Sequence, residues 1–78
     1  MITFYEYMMK EYLGKDSDFD KLVEDMLFDR QNFPTNRTVK LEQEEEKIHE
    51  YLRNKGAWHW TMKDFNYAWA EYEKYINQ

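Results

Sequence analysis

Apolar residues recur along this chain at the spacing that places them on one side of an α-helix. The clearest case is the segment Thr61–Gln78, in which the apolar positions step by three or four residues. They are Met62, Phe65, Ala68, Trp69, Tyr72, Tyr75 and Ile76. Because aromatic rings are favoured away from water, the pattern predicts a helix facing a core, with Thr61 and Asp64 capping its start.

A second amphipathic segment opens the chain. Thr3 is suited to be the N-cap of a helix, and Glu6 three residues later can return a hydrogen bond to the backbone of the cap. The helix is predicted to run from about Phe4 to Leu13 and to end at Gly14. Its buried side should contain Phe4, Met8 and Tyr12, with help from Tyr5 or Met9.

The next helix is predicted after a weaker capping pair, Ser17 and Asp20. Its apolar residues follow the i, i+3, i+4, i+7, i+8 pattern of a face that contacts the core. That face is predicted to comprise Phe19, Leu22, Val23, Met26 and Leu27.

This helix has a predicted stop. Phe33 precedes Pro34, and the residue before a proline is disfavoured in helical geometry, so the helix should end by about Gln31 or Asn32. Asp29 lies one turn before the proline, and we expect it to accept backbone hydrogen bonds in the turn.

A third helix is predicted to begin between Thr38 and Glu42 and to end at Gly56. The acidic run at its start, Glu42 and Glu44–Glu46, is typical of a solvated face that complements the helix dipole. The predicted core side carries Leu41, Glu45, Ile48, Tyr51 and Leu52. A short bridge over 57–60 should then lead into the last helix.

Size and composition agree with one all-α domain over residues 1–78, a compact four-helix bundle. Aromatic residues make up 19% of the chain, which supplies core material to a small protein. The absence of cysteine excludes disulfides and fits a reducing cytoplasm. We find no signal peptide and no membrane span. A formal charge of −5 opposes unspecific attraction to nucleic acid or anionic lipid.

Two stretches imitate metal-binding motifs and fail on their key positions. The alternating carboxylates of 16–20 resemble the start of an EF-hand loop, but Lys21 occupies the glycine position and Leu27 the position of the bidentate glutamate. His49 begins a pattern like that of zinc proteases, but Arg53 stands at the second ligand position and cannot coordinate a cation. We therefore expect no metal, no cofactor and no enzymatic activity.

Two groups of side chains are candidates for binding a partner. The candidate residues are Trp58, His59, Trp60, Arg30, Arg37 and Lys40. The two tryptophans either close the end of the core from an extended bridge, the interpretation we favour, or form an aromatic contact surface. The three basic residues could gather around the proline loop, although a scattered, solvated arrangement is favoured for them.

Four fragments in order resemble the YozE-like family of small bacterial proteins with a sterile-alpha-motif-like (SAM-like) fold. They are Phe4-Tyr5-Glu6-Tyr7, Asp29 with Phe33-Pro34, Ile48-His49-Glu50-Tyr51-Leu52, and Phe65-x-x-Ala68-Trp69-x-x-Tyr72. The resemblance implies a four-helix, single-domain protein of low-GC Gram-positive bacteria and their mobile elements, and it implies no mechanism. The stretch between Pro34 and Ile48 is longer than is usual in that family, and the Trp58–Trp60 cluster is not typical of it.

The residues whose roles can be identified serve as helix caps, turns and core, and none of them indicates a catalytic pocket. A function is therefore expected to reside on the surface of the protein. We therefore expect a non-enzymatic interaction module whose partner is another protein. A nucleic-acid-binding domain that uses a local basic and aromatic surface is the alternative. The expected oligomeric state is a monomer or a weak homodimer.

Overall fold

Four α-helices make up the described part of the chain: α1 (Phe4–Tyr12), α2 (Asp20–Phe28), α3 (Leu41–Asn54) and α4 (His59–Ile76). The computed structural model describes residues 2–34, 41–55 and 59–77, apart from the side chains at 41 and 59–61. These ranges contain no strand, so the prediction of an all-α fold is confirmed. Gly56, the predicted end of α3, lies outside the described residues.

The start of α1 is the predicted capping box. Thr3 Oγ1 accepts a hydrogen bond from the backbone N–H of Glu6 at 3.2 Å, and Glu6 Oε1 accepts one from the backbone N–H of Thr3 at 2.9 Å. After the helix, Gly14 has a φ of 77°, a left-handed conformation that glycine adopts without strain, so the chain turns there. Tyr7 is buried in this helix, whereas Tyr12, which we predicted to be buried, is half-buried.

Helix α2 begins at Asp20, later than the predicted cap Ser17 implies, and ends at Phe28, before the limit set by Pro34. Its N-cap is Phe19, so the capping also differs from the prediction. Ser17 Oγ accepts a hydrogen bond from the backbone N–H of Phe19 at 3.2 Å, while Asp20 Oδ1 accepts one from the backbone N–H of Ser17 at 2.9 Å. The predicted core position of Leu27 is wrong, because 39% of this residue is exposed. Leu27 lies about 100° around the helix from the buried Met26 and one turn after the buried Val23, so it is at the edge of the buried side of α2.

Helix α3 starts at Leu41, within the predicted range, but its buried face is shifted by one residue at the start. Glu44, which we predicted to be solvated, is buried with 6% exposure, and Glu45 is half-buried. Glu44 lies one turn before Ile48 and two turns before Leu52, so it continues their stripe. The solvated interpretation of the acidic run is therefore wrong for this one member.

Helix α4 begins two residues before the predicted cap. Because His59 and Trp60 are helical, the prediction of an extended bridge is wrong for them, and Thr61 is an internal helical residue and not the N-cap. The apolar stripe itself is confirmed, since the members nearest its centre are buried and those at its ends are packed against the core. The buried members are Phe65, Ala68, Trp69 and Tyr72.

The core is built around the ring of Phe4. Its centroid lies 5.3 Å from that of Phe65 in an edge-to-face contact and 5.3 Å from that of Trp69. Tyr72 completes the group with an edge-to-face contact at 5.6 Å. Such ring pairs contribute about 0.5–1.5 kcal/mol beyond the area they bury. The buried apolar residues are Phe4, Tyr7, Met8, Leu22, Val23, Met26, Phe33, Ile48, Leu52, Phe65, Ala68, Trp69 and Tyr72.

The turn after α2 is fastened to α3 through Asp29. Its backbone carbonyl accepts hydrogen bonds from the N–H groups of Asn32 and Phe33, at 3.0 and 3.1 Å. Its carboxylate accepts from the hydroxyl of Tyr51 and from Asn32 Nδ2 at 2.9 Å, and pairs with Lys55 Nζ at 3.1 Å. The predicted backbone hydrogen bonds therefore go to the carbonyl of Asp29, while its side chain joins two helices.

Candidate partner-binding surface

Of the six candidate residues, Arg30 is the one whose side chain the structure describes. Arg30 is exposed in the turn after α2. Trp58, Arg37 and Lys40 lie outside the described residues. His59 and Trp60 are helical in their backbone, and their side chains lie outside what the structure describes.

An exposed phenylalanine is the feature that the sequence analysis missed. Phe28, the last residue of α2, is 91% exposed. It follows Met26 by two residues, so the helix turns it almost directly away from the core. Leu27 beside it is 39% exposed, which extends the apolar area. The sequence did contain a signal for this exposure, because Phe28 does not fit the i, i+3, i+4 spacing of the apolar residues in its helix.

A depression lies beside this helix, where α1 ends and α2 begins. Its volume is about 290 Å³, and its lining includes Leu13, Val23 and Glu24. Leu13 is 45% exposed and Val23 is buried, so apolar side chains form part of a mixed lining. Asp16 and Asp20 also line the depression and give it an acidic edge. A partner side chain with an apolar stem and a positive end matches this lining.

Acidic residues are concentrated in the same part of the chain. Residues 16–29 contain six acidic residues and one basic residue. The rest of the chain contains ten of each, so this segment carries the whole formal charge of −5. Helix α2 and its approach form most of the segment, so Phe28 and the depression lie in a locally acidic part of the molecule.

Glu44 forms the one buried carboxyl group among the described residues. Its Oε2 accepts a hydrogen bond from the backbone N–H of Phe4 at 3.1 Å, and its Oε1 lies 3.4 Å from the hydroxyl of Tyr72. Burial raises the pKa of this carboxyl above its ordinary value, and the two hydrogen bonds oppose that rise. The carboxyl contacts a helix end and a core ring, which is a structural environment.

The Asp29 cluster has the opposite electrostatic character. The hydrogen bond from Tyr51 is the largest cause that lowers the pKa of the Asp29 carboxyl, to about 2, and Asn32 and Lys55 act in the same direction. Burial raises the pKa of the Tyr51 phenol, and its bond to Asp29 raises it further. A carboxylate held ionised beside a phenol held protonated is poorly suited to exchange a proton near neutral pH.

His49 also has a structural neighbourhood. Its Nε2 lies 3.1 Å from Asn66 Oδ1, and its ring meets the edge of Phe65 with the centroids 5.0 Å apart. Over the ranges that the structure describes, no group of three or more potential ligands could hold a metal ion. In the same ranges no helix is long and apolar enough to cross a membrane.

The chain matches the model of one protein family, described as YozE SAM-like fold, over residues 3–74. None of the curated proteins and none of the solved structures compared with the chain matches it. The family match covers α1, α2 and α3 and most of α4, and it agrees with the all-α arrangement of four helices in a compact single domain. The resemblance expected from the four sequence fragments is confirmed, and the chain belongs to the YozE SAM-like fold family.

Proposed function

We propose that this protein is a non-enzymatic protein-binding module that docks its partner on the outer side of α2. The observation that supports this is the position of Phe28. The chain has five phenylalanines, and the other four, Phe4, Phe19, Phe33 and Phe65, lie in the core or pack against it. Phe28 alone of the five points into solvent.

Covering Phe28 would release a substantial free energy. Burial of a phenylalanine side chain contributes about 1.5–3 kcal/mol, and aromatic rings are enriched at the centres of protein interfaces. The adjacent Leu27 and the more distant Leu13 add apolar area on the same helix and at the neighbouring helix end. Phe28 is therefore suited to be the anchor of an interface, with the two leucines around it.

The chemistry of the titratable groups supports binding in preference to catalysis. Asp29 is held ionised by its bonds to Tyr51 and Asn32. His49 is engaged with Asn66 and Phe65. In each case the polar group joins two parts of the fold, which is a role in stability.

The test is site-specific photo-crosslinking in the native host. Phe28 is replaced by p-benzoylphenylalanine, and Tyr67, which is 61% exposed on α4, receives the same replacement as a matched control. We expect a discrete protein adduct from position 28 and not from position 67. The adduct should disappear when an excess of unlabelled wild-type chain competes and should persist with an excess of Phe28→Ser. The absence of an adduct from position 28, or equal adducts from both positions, would contradict the proposal.

Binding of nucleic acid is the second candidate. Arg30 lies two residues after Phe28 and is exposed, so a stacked base could receive a cation beside it. The excess of carboxylates in residues 16–29 opposes this function. The test is a titration of the protein with labelled single- and double-stranded DNA and RNA at low ionic strength. A complex that weakens as the salt concentration rises would support this function, and no binding at low salt would exclude it.

The proposal places the protein in the cytoplasm, where a chain without cysteine requires no oxidising environment. A monomer or weak homodimer is expected in the absence of the partner. Sedimentation equilibrium of the wild type and Phe28→Ser measures this state.

A further inference from the structure

We infer that the partner presents a basic, apolar segment, whose apolar side chains cover Phe28 and Leu13 and whose lysines or arginines face the carboxylates of α2. This inference rests on the proposed function, since it concerns the same side of the molecule. It specifies the chemistry of the occupant, which the exposure of Phe28 alone does not.

The charges around the surface carry the inference. Asp16, Asp18 and Glu24 are exposed, and they belong to the segment that holds the whole net charge of the chain. Asp29, by contrast, already pairs with Lys55, the residue that follows α3. The exposed carboxylates therefore form the part of the acidic segment that is accessible to a partner.

Apolar and acidic groups alternate closely on this side of α2. Glu24 lies one helical turn before Phe28, and it also lines the depression that contains Leu13. A helix or strand that covers both Leu13 and Phe28 therefore meets Glu24, which neighbours each of them. A positive residue at that point gains a charge interaction, whereas a negative residue is repelled.

Three cations in this region reduce its negative charge. Lys15 lines the depression, Lys21 lies on α2 one turn before Asp25, and Arg30 is exposed two residues after Phe28. An excess of carboxylates remains, because residues 15–30 contain three basic and six acidic residues. The field at the surface therefore attracts a basic segment and increases its rate of association at low salt.

The test measures the binding of three short fluorescent peptides to the full chain by anisotropy. The first is an amphipathic helix of leucine and lysine, the second has glutamate in place of lysine, and the third keeps the lysines but replaces leucine by serine. We expect tight binding of the leucine–lysine peptide alone, and weakening of that complex at high salt.

Three variants locate the complex. Glu24→Lys should weaken binding of the leucine–lysine peptide about threefold to tenfold, because it replaces an attraction by a repulsion at the centre of the surface. Glu46→Lys makes the same change of charge at an exposed position of α3 and should have a much smaller effect. Phe28→Ser should weaken binding at least as much as Glu24→Lys. Thermal melts of all three confirm that they are folded.

The outcomes separate this inference from the proposed function. If the leucine–lysine and leucine–glutamate peptides bind equally and Phe28→Ser weakens both complexes, a basic partner is refuted, but the proposed docking at Phe28 is supported. If the lysine–serine peptide binds as tightly as the leucine–lysine peptide, or if no peptide binds, the inference is overturned. A dimer that Phe28→Ser dissolves would identify a second copy as the occupant and would also overturn it. In the last two cases, crosslinking from position 28 still decides the proposed function.

Discussion

The buried carboxyl group of Glu44 leads to a prediction with a definite sign. Tyr72 has one hydroxyl proton and two acceptors within reach: the carbonyl of Ile2 at 2.7 Å and Glu44 Oε1 at 3.4 Å. The nearer carbonyl takes the proton, so an ionised Glu44 keeps one good hydrogen bond, from the N–H of Phe4. A protonated Glu44 can instead donate to the oxygen of Tyr72, and burial, which raises the pKa of Glu44, favours this protonated form.

Replacement Glu44→Gln should therefore stabilise the protein at neutral pH. The amide oxygen can accept the hydrogen bond from Phe4, and the amide nitrogen can donate to Tyr72 without a buried charge. Each tenfold increase in the proton affinity of the folded state over the unfolded state corresponds to about 1.4 kcal/mol. A gain of about 1 kcal/mol would raise the melting temperature of a domain of this size by roughly 4–8 °C. Glu44→Ala should instead lower the free energy of unfolding by about 1–3 kcal/mol, because the N–H of Phe4 is left without its hydrogen-bond acceptor.

The pH dependence gives the stricter test. Since the pKa of Glu44 is higher in the folded state, its contribution to stability is complete below the ordinary value of 4.5 and is lost as pH rises through the folded value. The glutamine variant should thus match the wild type at low pH and exceed it increasingly toward pH 7. Thermal melts by circular dichroism across this range measure the difference. Glu46→Gln is the control, because it removes the same charge from an exposed position of the same helix.

The reasoning about Glu44 would be refuted by a glutamine variant that is less stable than the wild type at neutral pH. A stability difference that does not change with pH would refute it equally, because the proton linkage would then be absent. A gain of the same size in Glu46→Gln would attribute the effect to net charge and remove the role of burial.

Three further predictions concern stability. Phe4→Ala should lower the free energy of unfolding in urea by about 3–5 kcal/mol, because Phe4 is at the centre of the ring cluster. Phe28→Ala should change it by no more than about 0.5 kcal/mol, because Phe28 is exposed, and similar losses for both would contradict these positions. Gly14→Ala should lower the free energy of unfolding by about 1 kcal/mol, because alanine is strained at the positive φ of this position. The new methyl group meets no atom within 4 Å, so strain is the one expected cause, and an unchanged melting temperature would refute it. The pKa of Asp29 is lowered to about 2, so its stabilisation is complete above the ordinary value of 3.8 and is lost as pH falls through 2. Asp29→Asn should lack that acid step in a circular dichroism titration, and retention of the step would assign it to another carboxylate.

The helices could be predicted from the sequence because their apolar periodicity and two of their end signals are local. The cap at Thr3 and the stop at Gly14 involve residues close in sequence, and both lie where the pattern placed them. The start of α4 was placed two residues late because Thr61 has the chemistry of a cap, although the helix already begins at His59. A capping residue is permitted inside a helix, so its presence alone does not determine the boundary.

The errors in burial have a different origin, because they depend on which neighbours a helix meets. Leu27 fits the apolar stripe of α2 but lies at its edge, where 39% of the residue stays exposed. Glu44 fits the stripe of α3 and is accepted there because a donor from the first turn of α1 faces it. That donor is forty positions away in sequence, so only the packed structure can show that a carboxyl group is tolerated at this point.

The same distinction applies to the candidate surface. A sequence pattern can identify tryptophans and basic residues as suitable for binding, but it cannot tell which helix faces remain uncovered. Among the described aromatic residues, an exposed tyrosine such as Tyr67 has a hydroxyl group that can hydrogen-bond to water, whereas Phe28 has no polar atom in its side chain. Its exposure is therefore the less expected one in a chain that packs every other phenylalanine, and a partner that covers it gives the position a physical reason.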